Sequence, residues 1–379
     1  MRRHGKRVIK LLVVDDSALM RRLLGAVFAA ESDFDVAFAR DGAEAIELLH
    51  RFGPDVITLD VQMPKLDGLA CLDRIMVERP CPVVMVSSLT EAGADISLEA
   101  MQLGAVDFIA KPQGALSLAM DELAPLLVEK VRAASKARLR RSLRLTERVR
   151  RLANGPLPAS AGYRGAAALP TAPSLRAKTP VPKQEPGPAD MVVVVGCSTG
   201  GPPALDQLLS PLPADFPWPI LVAQHMPASF TGPLARRLDR LCAVTVVEVT
   251  TRPIGLQPGH VYIGKGDADM IVSLRPEGPV VMAAPSLPEH RWHPSVDRLM
   301  TTAIQHLGAR RLIGVLMTGM GNDGAASMTR LRREGGRTIA EAEETAVVWG
   351  MPGELVKAGG AQVVTPVDAI ADHLMAWVP

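Results

Sequence analysis

Two separate sets of residues in this chain have the types and spacing to do chemistry. The first set lies in the N-terminal third: Asp15, Asp16, Asp60, Ser87 and Lys111. Three carboxylates brought to one place repel each other, and a divalent cation relieves that. An all-oxygen ligand set suits Mg²⁺, which keeps several waters and also takes phosphate oxygens. A hydroxyl (Ser87) and a point positive charge (Lys111) beside it would hold a phosphoryl group. The second set lies in the C-terminal half: Ser198 within Gly196-Cys197-Ser198-Thr199-Gly200-Gly201, then His225, then Asp323. A serine, an imidazole and a carboxylate are the parts of a nucleophile with its base and its orienting acid.

Such sets work only if elements of structure bring them together. Residues 8–14, 35–39, 56–59, 83–86 and 107–109 read as short aliphatic strands, with helical periods over 20–30, 42–51, 68–78 and 96–103 and from about residue 116. This alternation predicts a parallel sheet covered on both faces. In such a sheet the strand C-termini share one edge, where sites form. Asp15 and Asp16 follow the first strand, Asp60 ends the third, Ser87 follows the fourth and Lys111 the fifth. Singly, each has a plainer reading: an Asp is often an N-cap, Ser87 a helix start, Lys111 a surface charge. Five such residues after successive strands of one sheet are hard to explain as caps.

Residues 191–195 open a second β–α pattern. Further strands are expected at 220–223, 245–248, 260–263, 270–274, 312–316, 337–340 and 361–364, and helices notably at 203–210, 230–239, 295–307 and 323–333. The short segments between 245 and 285 read as antiparallel or hairpin additions. The run 192–195 feeds a tight glycine turn, and Pro202-Pro203 can open the next helix. That exposes Ser198 near a helix N-terminus whose free N–H groups, Thr199 among them, could steady an oxyanion. On the turn alone, a nucleophile, a phosphate or dinucleotide site and a plain turn all stay open, although G-x-G-x-x-G and a Walker lysine are absent. His225 follows the next strand and Asp323 sits in the glycine-rich loop after residues 312–316. The order Ser, His, Asp differs from that of α/β-hydrolases.

Composition sets the frame. A chain of 379 residues is comfortable for two domains, and 47% hydrophobic residues with 3% aromatic predict aliphatic cores. A net charge of +2 gives no reason to expect nucleic acid. Four cysteines without metal spacing or a disulfide pattern suit a reducing cytoplasm. The N-terminus does not read as a signal peptide, and no segment reaches the roughly 18 apolar residues of a membrane span. Residues 130–151 are a basic, helical run, and 152–189 read as a Pro/Ala/Gly/Ser linker. His290, Trp292 and His293 form the other histidine cluster; with no third ligand in sound spacing, a loop or interface role is expected. Cys197 adjoins Ser198, with its side chain expected to point away.

LLVVDDSALMRRLL, the D-x-x-M-P-x-x-D-G run from Asp60 to Gly68, VVMVSSLT and GAVDFIAKP resemble a two-component receiver domain over about residues 8–125. GCSTGG, AQHMPASFTGPLARRLD, HPSVDRLM and LMTGMGNDGA resemble the catalytic domain of the chemotaxis methylesterases, the CheB family, over about 191–375. The fold class so implied is α/β: two doubly wound parallel-sheet domains, a flavodoxin-like receiver and a larger Rossmann-like serine esterase. The expected divisions are 1–128 (receiver), 129–190 (basic helical extension and linker) and 191–379 (catalytic domain). The resemblance implies phosphorylation of Asp60 by a histidine kinase of CheA type, Mg²⁺ held by Asp15, Asp16 and Asp60, and phosphoryl sensing by Ser87 and Lys111. It implies hydrolysis of glutamyl methyl esters on chemoreceptors, with glutamine deamidation, by Ser198, His225 and Asp323, without a cofactor for that step. Met320 and Thr199 fall at the active-site mouth. The protein would be a cytoplasmic monomer recruited to receptor arrays, without membrane insertion. A non-enzymatic response regulator with a partner-binding output domain is the alternative. Gly264-Lys265, where the family usually reads Ala-Pro, and Met270, near a position often histidine, depart from its pattern.

Overall fold

A computed structural model of the chain describes residues 8–88, 90–111, 116–139 and 191–378. The N-terminal unit runs β1 (Ile9–Val14), α1 (Ala18–Ala29), β2 (Phe34–Ala39), α2 (Gly42–Arg51), β3 (Val56–Asp60), α3 (Gly68–Glu78), β4 (Val83–Ser87), α4 (Glu91–Leu103), β5 (Asp107–Ala110) and α5 (Leu116–Ala134). Its sheet has the order β2-β1-β3-β4-β5, every pair parallel. That is the flavodoxin-like doubly wound order. The strands β3 and β4 are buried along their whole length, which is why they read as unbroken aliphatic runs rather than alternating ones. Ser17, Asp41, Asp67 and Thr90 cap α1 to α4, each accepting a backbone N–H of the first turn. Helix α5 ends at Ala134, and the described chain turns over residues 135–139. The rest of the basic run and the linker, residues 140–190, lie outside the described residues.

The C-terminal unit contains β6 (Val192–Cys197), α6 (Gly201–Leu209), β7 (Ile220–Gln224), α7 (Ala228–Leu241), β8 (Thr245–Glu248), β9 (Ile254–Gly255), β10 (His260–Ile263), β11 (Ala268–Arg275), β12 (Gly278–Pro285), α8 (Val296–Leu307), β13 (Leu312–Leu316), α9 (Ala325–Arg333), β14 (Arg337–Glu341), α10 (Met351–Lys357), β15 (Val363–Thr365) and α11 (Ile370–Ala376). Seven strands form one parallel sheet, β15-β14-β13-β6-β7-β10-β8. The chain leaves the centre in both directions from β6, so the switch point of the topology lies between β6 and β13, a Rossmann-like arrangement. The expectation for 245–285 is corrected in part. β8 and β10 pair in parallel and extend the main sheet, while β11, β12 and β9 make a separate antiparallel sheet. Short β-rich segments look alike in sequence; here the excursion through β9 gives β8 and β10 enough chain to run the same way.

The two units pack directly on each other. Phe108 of β5 stacks on Phe230 of α7 with ring centroids 4.2 Å apart. Gln102 of α4 donates to Asp206 of α6. Arg138 bonds to the carbonyl and carboxylate of Glu343, and its own N–H reaches Val347 O. Arg291 pairs with Glu129 of α5.

Candidate active site

The first set converges as the topology requires. One carboxylate oxygen from each of Asp15, Asp16 and Asp60 lies within 4.8 Å of the others. Lys111 Nζ is 2.8 Å from Asp60 Oδ2 and 3.1 Å from Asp15 Oδ2, the latter without the angle of a hydrogen bond, so Asp15 Oδ2 is a buried oxygen with no hydrogen-bond donor. Burial holds the Asp60 carboxyl above its ordinary value; Lys111 opposes this and the Asp15 charge adds to it. Burial alone would lower Lys111, but Asp60 and Asp15 outweigh it and keep the ammonium above its usual range. A donor set of three carboxylates with an orphaned buried oxygen fits a hard divalent cation. Ser87 ends β4 at the same edge, but its hydroxyl is turned to the Gly93 carbonyl of α4 at 3.1 Å.

The second set converges at the switch point of the larger sheet. Cys197 and Gln224 are register partners on β6 and β7, so Ser198 and His225 leave adjacent strands side by side, and His225 N–H donates to Cys197 O. From β13 the loop 317–324 returns to the same place, where Ser198 N–H donates to Thr318 O at 2.9 Å. His225 Nε2 lies 2.8 Å from Asp323 Oδ2. The other ring nitrogen, Nδ1, is buried and has no partner. The Ser198 hydroxyl likewise makes no hydrogen bond among the described residues.

Asp323 sits at the N-terminus of α8. It accepts Val296 N–H at 2.7 Å, Asp297 N–H at 2.9 Å and the Ser295 hydroxyl at 3.2 Å, besides the imidazole. Burial works against its charge, but the His225 bond and the helix N–H groups outweigh that, so the carboxyl is held below the ordinary aspartate value. Asp297 shows the opposite: burial, with the Asp323 charge nearby, keeps it above.

Gly200 caps α6 at a φ of +78°, a conformation that lets β6 turn sharply into the helix and present Ser198. Ser198 N–H is spent on Thr318. The N–H groups of Thr199 and Gly200 have no acceptor among the described residues and stand at the N-terminus of α6, the place for an oxyanion. The Thr199 carbonyl accepts the Thr318 hydroxyl at 2.8 Å, and its own hydroxyl donates to Asp107 of the N-terminal unit. Asp107 is buried and is also held by Lys130 at 2.9 Å. The N-terminal unit is therefore fastened to the residue beside Ser198. Met320 is buried in the same loop as Asp323. Cys197 turns away from Ser198: its thiol donates to Gln224 Oε1 at 3.0 Å, and burial raises it far above the thiolate range.

Two residues here were not singled out in the sequence. Gln224 donates to the carbonyls of Ser198 and His225 at 3.0 and 3.1 Å and so holds the two turns together. Glu341, buried at the end of β14, accepts Thr318 N–H at 2.7 Å and fixes the Asp323 loop. In sequence each is a polar residue closing an apolar strand, which is a signal, but one shared with ordinary strand ends. Trp292 was named in the sequence, but for another role: its ring stacks on His225. It lies in the cluster expected to have a loop or interface role, and nothing local marks it for this site. His293 of the same cluster pairs instead with the buried Asp269 at 2.8 Å.

Residues 193–374 match the family described as CheB methylesterase, and residues 11–120 that of the response regulator receiver domain. The chain is 54% identical to a protein-glutamate methylesterase/protein-glutamine glutaminase of Rhodopseudomonas palustris, over 98% of each chain. It is 51% identical to one from Rhodospirillum rubrum, over 97% of this chain and 96% of that one. Among solved structures, the CheB methylesterase catalytic domain of Thermotoga maritima is 37% identical and covers 50% of this chain and 98% of its own, with a TM-score of 0.47.

Proposed function

The chain belongs to the CheB methylesterase family and is an enzyme of that class; we propose that Ser198, His225 and Asp323 perform its reaction, hydrolysis of glutamate methyl esters on chemoreceptors. The observation that carries this is the imidazole of His225, bound to Asp323 through Nε2 and without a partner at Nδ1, on the strand end next to that of Ser198. His225 Nδ1 takes the hydroxyl proton as Ser198 Oγ attacks the ester carbonyl. Thr199 and Gly200 N–H groups receive the oxyanion. The bond to methanol breaks as His225 returns the proton to it. Water, deprotonated by His225, then releases the glutamate carboxylate and restores Ser198. A glutamine side chain enters the same sequence with ammonia as leaving group. Asp323 stays ionised throughout, because two backbone N–H groups and a hydroxyl hold its charge.

In the N-terminal unit Asp15, Asp16 and Asp60 would hold Mg²⁺. The ion, when bound, neutralises carboxylate charge and takes phosphoryl oxygens. Asp60 accepts the phosphoryl group from a histidine kinase of CheA type. Lys111 pairs with it, and Ser87 turns its hydroxyl from Gly93 O towards it. That exchange acts at the start of α4, the helix that reaches Asp206 of α6 through Gln102. Unphosphorylated, the N-terminal unit covers the mouth at Thr199 and Phe230; phosphorylation shifts the population towards an open arrangement. The same reading places a monomeric protein in the cytoplasm at receptor arrays. Among the described residues no helix is long and apolar enough to cross a membrane.

The test is Ser198→Ala, assayed for methanol release from methylated receptors. The variant should fold, still accept phosphate on Asp60, and release no methanol. Retained release would remove Ser198 from the mechanism.

A further inference from the structure

One aromatic side chain touches the proposed base, and no step above uses it. Trp292 lies in the stretch 286–295 between β12 and α8. Its ring centroid is 5.7 Å from that of the His225 imidazole, with the planes 13° apart, an offset parallel stack. We propose that Trp292 is a positioning residue for His225: its indole sets the plane of the imidazole, so that Nδ1 faces Ser198 while Nε2 stays on Asp323. The inference rests on His225 being the base and adds to it.

The need for such a residue follows from the hydrogen bonds. One bond, to Asp323, holds Nε2. Nδ1 has no partner, and Ser198 offers it none in the resting arrangement. A single hydrogen bond fixes one ring atom but leaves the ring free to swing about it, and the second torsion of histidine is broad. A flat face against the ring removes that freedom without occupying either nitrogen.

The indole is itself held. The Arg291 guanidinium lies 5.0 Å from its centroid and is paired to Glu129 of α5. The indole Nε1 lies against Gly321, whose φ is +78° and where a Cβ would come within 3.5 Å. On the C-terminal side, His293 and Ser295 N–H are both bound to Asp269, which is fully buried and also paired to Arg298 at 2.7 Å. The stretch carrying Trp292 is thus pinned to the core at one end and to the N-terminal unit at the other.

The experiment compares full-length wild type with Trp292→Leu, Trp292→Phe and His225→Ala. It measures the rate at which a small fluorophosphonate labels Ser198. In that reaction the Oγ–P bond forms, the P–F bond breaks, fluoride leaves and the proton goes to His225. The probe carries no receptor helix, so it reports the base and not substrate contacts. Trp292→Leu should label roughly tenfold more slowly. Its methanol release should lose kcat with little change in KM, and its melting temperature should stay near wild type. Trp292→Phe, which keeps a flat face, should recover most of the rate. Labelling of Trp292→Leu at the wild-type rate would overturn the proposal even if methanol release fell, since Trp292 would then be only a receptor contact. A Phe variant as slow as the Leu variant would overturn it too. Labelling of His225→Ala at the wild-type rate would instead remove the base assignment on which the proposal stands.

Discussion

Replacing Asp323 by Asn should silence the second site and loosen it, by two separable amounts. Four donors converge on this carboxylate: Ser295 Oγ and Asp297 N–H on Oδ1, and Val296 N–H and His225 Nε2 on Oδ2. An amide keeps only one oxygen. If it remains on the Oδ1 side, the amide nitrogen faces Val296 N–H; if the side chain is flipped, it faces Asp297 N–H. Either way a buried backbone donor loses its acceptor, at a cost of about 1–3 kcal/mol. The catalytic loss has another cause. In the first pose the amide donates to His225 Nε2, which forces the ring proton onto Nδ1, the nitrogen that must accept from Ser198. Triad variants of this kind lose about 10⁴ in kcat. Methanol release measures the second effect and thermal unfolding the first. Their pH dependence differs as well. The Asp323 carboxyl is held below its ordinary value, so its share of stability is complete above about pH 4, the unfolded value. That share fades only as pH falls through the lower folded value. The gap in melting temperature between wild type and variant should be level from about pH 5 to about pH 8 and close in stronger acid. An Asn variant within tenfold of wild type in methanol release, melting as wild type does, would refute this account of the triad.

Two more outcomes follow from the other parts of the molecule. Mg²⁺ should raise the melting temperature of wild type and move Asp60→Asn much less; binding at a hundredfold over Kd is worth about 2.7 kcal/mol, and an equal rise in both proteins would place the ion elsewhere. Phe108→Ala removes the stack on Phe230 and should raise unphosphorylated methanol release roughly two- to tenfold; an unchanged basal rate would mean that this contact does not hold the cover shut.

The candidate site residues could be placed from sequence because a parallel sheet leaves few positions for them. A charged or polar residue closing an aliphatic run in a βα alternation must lie at the carboxyl edge, and Asp15, Asp60, Ser198 and His225 obey that rule, while Asp323 returns to the edge from the glycine-rich loop after β13. The sheet's own extent was less legible. β8 and β10 are four residues each and look like hairpin strands; they pair with each other in parallel because the intervening chain loops back through β9, and β10 joins them to β7. The environment of the site was less legible still. Trp292 reaches His225 from a loop 67 residues further on, and Asp107 reaches Thr199 from 92 residues before it. Asp107 in the sequence is one more aspartate opening a strand. Its place against the residue next to Ser198 exists only once the two units have docked.

The two sites solve one problem, a buried carboxylate at a strand end, in opposite ways. Asp323 has all its acceptor capacity filled by the chain: two helix N–H groups, a hydroxyl and an imidazole. It is a finished arrangement, held in one state, which is what an orienting group requires. Around Asp60 the chain supplies fewer donors: Oδ1 accepts Gln62 N–H at 3.2 Å and Oδ2 accepts Lys111 at 2.8 Å. Its neighbour Asp15 has an oxygen without a hydrogen-bond donor, Lys111 is shared between the two, and burial keeps Asp60 above its ordinary value. Such a site gains from whatever brings positive charge. The four-donor carboxylate suits the constant orienting role proposed for Asp323, and the acidic cluster suits the changeable role proposed for Asp60.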